Sequence, residues 1–146
     1  MHAASHLIIA AEVSTGTGSD SPYFVPLMRG ASRRMPLTFT LADAGFDSED
    51  NHRLARQELG IRSLIPATIG RPGANGPSGH YRRLMRRRFQ GGSDKEHYGQ
   101  RWQAETVNSM LKRNLCSACR ARTPAGRHRD MLLRAVTHNI MIVGNL

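Results

Sequence analysis

The apolar and polar positions of the chain alternate between two periods, and the changes of period mark its elements. Leu7 to Val13 is β-prone and mostly apolar, which predicts a buried strand. Ser14-Thr-Gly-Thr-Gly-Ser-Asp20 reads as a turn. Ser21-Pro22 then has the form of a helix start, with Phe24, Leu27, Met28 and Ala31 on one face and Met35-Pro36 closing the helix. Leu37 to Ala42 is a second predicted strand. Asp47 or Ser48 caps a helix that carries Glu49 and Asp50 in its first turn, runs to about Leu59 and stops at Gly60. Ile61 to Ile65 is a third predicted strand. The middle of the chain is therefore strand–helix–strand, which predicts a parallel pair joined by a crossover helix.

Beyond Pro66 the pattern weakens. Ala67 to Gly79 is rich in glycine and proline, and with the basic stretch that follows it sets residues 67–92 apart as an insertion or linker. Tyr81 to Phe89 holds five arginines in nine residues, and Gln90-Gly-Gly is a break. Ser93-Asp-Lys-Glu96 fits a capping box and predicts a long helix to about Leu115. The stretch from Ser117 to Arg127 is basic and expected to be irregular at Thr123-Pro-Ala-Gly126. A last apolar helix is expected from about His128 to Val143.

Composition narrows the class. At 146 residues and 39% hydrophobic content the chain can build one domain with a real core. No apolar run approaches the ~20 residues of a membrane span. Met1 to Ala10 lacks the pattern of a signal peptide, so a cytoplasmic protein without a membrane partner is expected. Cys116 and Cys119 form a lone C-x-x-C without the second ligand pair of a zinc site, and read as small apolar helix residues. Charge changes the picture most. Lysine and arginine total 21 against 11 acids, a net charge of +10, and most of the excess is arginine. Arginine suits two-pronged phosphate contacts, so a polyanionic partner, most often nucleic acid, is expected.

The predicted long helix holds the candidate chemistry. Tyr98, Arg101, Glu105 and Lys112 fall within roughly a 60° sector at ~100° per residue, and Asn108 and Ser109 extend that stripe. Ala104, Val107, Met110 and Leu111 lie broadly opposite. Geometry alone leaves two readings, a solvated charged face or a functional one.

Tyr98-x2-Arg101-x3-Glu105-x6-Lys112 matches without a gap the Y-x2-R-x3-E-x6-K signature of one large class of bacterial insertion-sequence DDE transposases. Leu41-Ala-Asp-Ala-Gly-Phe-Asp-Ser-Glu-Asp50 resembles the family's second-aspartate motif. His6 to Ser14 resembles its strand after the first-aspartate region, and Leu133 to Met141 its tail. The resemblance implies a ribonuclease-H-like α/β fold, a mixed sheet flanked by helices. It implies a transposase catalysing metal-dependent DNA cleavage and strand transfer, with Asp43 and Glu105 as catalytic, metal-binding carboxylates for two Mg²⁺ or Mn²⁺ ions. Arg101 and Lys112 would contact DNA phosphates, and Tyr98 would either orient a phosphate or pack at the helix start. Arg82, Arg83, Arg86, Arg87 and Arg88 would track the DNA backbone or else form a solvated basic turn. Asp43 has its own plainer alternative, a turn or helix-cap aspartate. Relatives act as oligomers on transposon ends and target DNA.

One departure stands out. The first catalytic aspartate should precede Leu7, and Met1-His-Ala-Ala-Ser-His6 has no acid. A chain truncated before that aspartate, inactive alone or completed by a separately encoded N-terminal part, is the expectation. The competing reading is a non-catalytic basic nucleic-acid-binding module.

Overall fold

The computed structural model describes residues 1–14, 18–68, 76–115 and 118–144. The centre of the expected turn at residues 15–17, most of the Gly/Pro-rich stretch (69–75) and Cys116 lie outside them. Two compact units make up the chain. One is Gly18–Gly99, and the other joins Met1–Thr17 to Gln100–Leu146.

In the Gly18–Gly99 unit a 3-10 turn, Ser21–Tyr23, with proline early in it leads into α1, Phe24–Ser32. Strand β1, Phe39–Leu41, follows, then α2, Glu49–Arg53, and β2, Arg62–Leu64. The strands are parallel, with Phe39 opposite Arg62, Thr40 opposite Ser63 and Leu41 opposite Leu64. The predicted parallel pair with its crossover is thus present, with shorter strands than the apolar runs suggest. Ser48 occupies the N-cap position of α2, and Glu49 and Asp50 sit in its first turn.

The crossover helix does not stay α-helical. From Leu54 to Glu58 it widens into a π-turn, in which the Leu59 amide donates to the Leu54 carbonyl five residues back. Gly60 then turns the chain at a φ of +67°, and the Ile61 amide donates to Ala55. That left-handed residue costs glycine nothing, and it ends the helix as expected.

Alternation along β2 puts Ile61, Ser63 and Ile65 on one face and Leu64 on the other, and all four are buried. A strand covered on both faces reads as a continuous apolar run, which is why Ile61–Ile65 was legible. Phe24 and Met28 of α1, Leu54 and Ala55 of the crossover, and Ile61 and Ile65 form the core, with Leu37, Ala42 and Phe46 against it.

Residues 80–90 depart from expectation. His80–Gln90 is helix α3, neither a linker segment nor a basic turn. Tyr81, Met85 and Phe89 recur every four residues, and Met85 is fully buried. Gly91 and Gly92 end it, Gly92 with a φ of +72°. The expected long helix is divided in two. Helix α4 spans Lys95–Gly99 and α5 spans Trp102–Leu115. Gly99 stands at the break, where helical propensity is weakest.

In the other unit, α6 spans Pro124–Val143. It begins four residues earlier than expected, because Thr123 caps it by accepting the Gly126 amide at 3.1 Å and Pro124 takes the first position. Leu7–Val13 belongs to no ladder among the described residues. Side chains of α6 take up its backbone groups instead. The Asn139 amide accepts from Ile8 N–H at 2.8 Å and donates to Ile8 C=O at 2.9 Å, as a neighbouring strand would. Buried His138 donates from Nε2 to the His6 carbonyl at 3.0 Å. The Thr137-His-Asn139 segment of the tail therefore has a structural task. No helix of the described residues is long and apolar enough to cross a membrane.

Candidate functional site

The acids that follow β1 have different fates. Asp43 comes two residues after the strand ends and caps the 3-10 turn Ala44–Phe46, its Oδ1 accepting the Gly45 amide at 3.0 Å. It remains exposed. The plainer role foreseen for it, a turn-capping aspartate, is therefore real, and it leaves the carboxylate accessible. Asp50 is also exposed, but it lies on α2 and pairs with Arg53 at 3.4 Å.

Asp47 and Glu49 are engaged by α3. The Asp47 carboxylate is 0% exposed and takes Arg82 through Nε and Nη2 at 2.7–3.0 Å, as well as the Thr68 amide at 2.8 Å. Burial pushes its pKa up, but the bonds from Arg82 and Thr68 outweigh that and hold it below the ordinary carboxylate value. Glu49 accepts the amides of His80, Tyr81 and Arg82 at 2.9–3.1 Å, which satisfies the first free N–H groups of α3 and complements its dipole. Here too burial raises the pKa and the amide bonds lower it further than burial raises it.

Gly79 makes this grip possible. Its φ is +96°, and a Cβ there would come within 2.3 Å of the Glu49 carboxylate. Gly79→Ala is expected to displace Glu49 from the helix start and to lower stability by about 1–3 kcal/mol. A urea midpoint equal to that of the parent chain would contradict this.

The five arginines of α3 divide in the same way. Arg82 binds Asp47, and Arg88 binds Asp94 through Nε and Nη2. Asp94 is buried and also takes Arg62 at 2.7 Å. Arg88 first, then the nearby Arg62 charge, keep the Asp94 carboxyl below its usual pKa against the effect of burial. On the opposite side, Arg83, Arg86 and Arg87 are exposed. With Gly76, Pro77, His80 and Gln90 they line an open cavity of about 730 Å³. His80, Arg83, Arg86, Arg87 and Gln90 fall within roughly a 120° sector of the helix, away from Met85.

The signature residues are distributed over both units. Tyr98 is on α4, half-buried, and its ring meets Phe89 edge-on at 4.9 Å between centroids. Arg101 precedes α5 and donates from Nη2 to Glu105 Oε1 at 3.0 Å. Glu105 is 67% exposed in the first turn of α5, and Lys112 is exposed two turns further on. Val107, opposite them, is buried, so the polar and apolar sides of α5 are as expected. Tyr98 does not share that helix. The structure joins Arg101 to Glu105 and Arg82 to Asp47. Asp43 and Glu105 belong to different units.

The family model described as the transposase DDE domain matches residues 1–140. The chain belongs to the transposase DDE domain family. No curated protein and no solved structure matches it. Transposase DDE domains act on DNA and generally use divalent metal ions. Among the described residues, no group of three or more His, Cys, Asp or Glu could hold an ion together. Asp43 and Glu105 are both exposed.

Sequence reasoning on this DDE domain placed Asp47 and Glu49 at a helix start and Asp94 in a capping box, but missed their partners on α3. The available signal was the Tyr81, Met85, Phe89 spacing. It marks a helix whose inward arginines would need acidic partners.

Proposed function

We propose that this chain is the catalytic part of an insertion-sequence transposase, with Asp43 and Glu105 as its metal-binding carboxylates. The fold this implies is ribonuclease-H-like, with β1–α2–β2 as one of its parallel units. The observation that carries the reading is the state of the Asp43 loop. Asp47 and Glu49 are occupied by α3, while Asp43 stands exposed just past the end of β1. A carboxylate just past a strand end has a rigid base, and the Gly45 amide orients its exposed head, which suits a ligand that must keep its position.

Divalent ions held there would activate the attacking oxygen and stabilise the leaving one in displacement at DNA phosphorus. Arg101 orients Glu105 by a charge-assisted bond. Lys112, on the same side of α5, offers a cation to a DNA phosphate. Tyr98 packs on Phe89 and serves the start of the signature structurally. Arg83, Arg86 and Arg87 track the DNA backbone, whereas Arg82 acts through Asp47. DNA ends and target DNA are the partners, with a homo-oligomer assembled on them.

The test is Mn²⁺ binding by the full chain, followed by electron paramagnetic resonance. Asp43→Asn and Glu105→Gln are each expected to weaken binding tenfold or more. Unchanged Mn²⁺ affinity in both variants would overturn the reading. Duplex binding that persists in EDTA would then leave a basic DNA-binding module.

A further inference from the structure

The unit containing α5 and α6 has a second basic surface. From residue 106 to residue 129 the chain has no acid, yet it carries Lys112, Arg113, Arg120, Arg122, Arg127 and Arg129. Two arginines near this stretch shape the backbone. Arg127 donates to the Ala121 carbonyl at 3.1 Å, and Arg134 donates to the Ala118 carbonyl at 2.7 Å while bound to Asp130 at 2.8 Å. The segment before α6 is therefore tied to the helix at two points. A cavity of about 710 Å³ lies there, lined among others by Asn114, Arg120, Arg129 and Leu133. Arg120 and Arg129 are exposed, and neither is ion-paired to an acid among the described residues.

We propose that Arg120 and Arg129, with the Asn114 amide beside them, form a second DNA phosphate-binding site, separate from the arginines of α3. The chemistry fits a phosphodiester. Two guanidinium groups offer forked N–H donors, an amide adds another, and the one acid at the rim, Asp130, is already neutralised by Arg134. Because Arg127 and Arg134 already hold the backbone wall of the cavity, binding has chiefly the Arg120 and Arg129 side chains left to order. DNA as the ligand rests on the transposase reading above.

Binding of a fluorescein-labelled DNA duplex by the full chain, across a salt series, tests the site. Each phosphate contact contributes about 0.9 to the slope of log affinity against log salt. Arg120→Ala with Arg129→Ala is expected to lower that slope by about 0.9, the share of one phosphate, and to weaken binding about tenfold or more at low salt. The corresponding lysine pair should restore part of it. In the parent chain, DNA should shield Arg120 and Arg129 from phenylglyoxal, as read by mass spectrometry, so the result does not depend on how the variants fold. An unchanged slope with no shielding overturns the site. A loss seen only in the Arg83, Arg86 and Arg87 triple alanine variant also overturns it, and leaves the α3 reading standing. A loss seen only in the Arg120 and Arg129 variant supports this site and removes the α3 surface instead.

Discussion

Arg82→Met is expected to destabilise the protein by about 3–5 kcal/mol. Methionine keeps most of the aliphatic stem, so little packing is lost. What remains is the Asp47 carboxylate, sealed from solvent, with the Thr68 amide as a partner but without its cation. A buried carboxylate cannot recover its hydration, and the penalty falls on the folded state. Adding Asp47→Asn should regain much of the loss, since the neutral amide still accepts from Thr68. The double-mutant cycle, measured by urea unfolding under far-UV circular dichroism, should give a coupling of more than ~1 kcal/mol. A single variant within 1 kcal/mol of the parent would show that the pair is hydrated and dispensable.

The second large effect concerns pH. His52 is fully buried on α2, its Nδ1 2.7 Å from Ser63 Oγ, and Ser63 Oγ also accepts from Arg56 Nε at 2.9 Å. Its Nε2 has no hydrogen-bond partner and lies 4.0 Å from Asp47. The bonds close best with the Ser63 hydroxyl donating to Nδ1 and the proton on Nε2, directed at the Asp47 charge. Burial first, and then the Arg56 cation, depress the imidazole pKa from 6.5 to about 4, against the opposing pull of Asp47 and Glu49.

A histidine with a lowered folded-state pKa binds fewer protons folded than unfolded in that window. Its stabilisation is therefore complete above pH 6.5 and is lost as the pH falls toward 4. The loss is on the order of 3 kcal/mol, at about 1.4 kcal/mol per unit. Asp47 and Glu49, whose pKa values are also lowered, add their own loss as the pH falls past their ordinary values of 3.8 and 4.5. In His52→Gln the slope between pH 6.5 and 4 should largely vanish. A flat parent profile over that range, or an equal slope in the variant, would refute the assignment. Removing Arg82 also removes a cation facing the imidazole, so Arg82→Met should move the His52 transition upward.

Much of the Gly18–Gly99 unit was legible from its sequence. The strand–helix–strand order followed from apolar runs bounded by Gly60 and Pro66, and the two sides of α5 followed from Glu105, Lys112 and Val107. Other features depended on tertiary partners. Leu7–Val13 has strand composition, but the Ile8 backbone is paired by the Asn139 side chain, which no local pattern announces. The arginine run hid a helix because cations occupy both of its sides. Only the burial of Met85, and acids up to 35 residues away in sequence, separate the inward arginines from the outward ones. Asp43 could be told from Asp47 as the exposed acid only once α3 was in place.

The division within α3 has a practical corollary for handling the protein. Asp47 and Asp94 are shut away from the medium, and dissolved ions screen such enclosed pairs poorly. Concentrated sodium chloride should thus strip adhering polyanions from Arg83, Arg86 and Arg87 while the helix stays seated, so a high-salt wash can clean the protein without unfolding it.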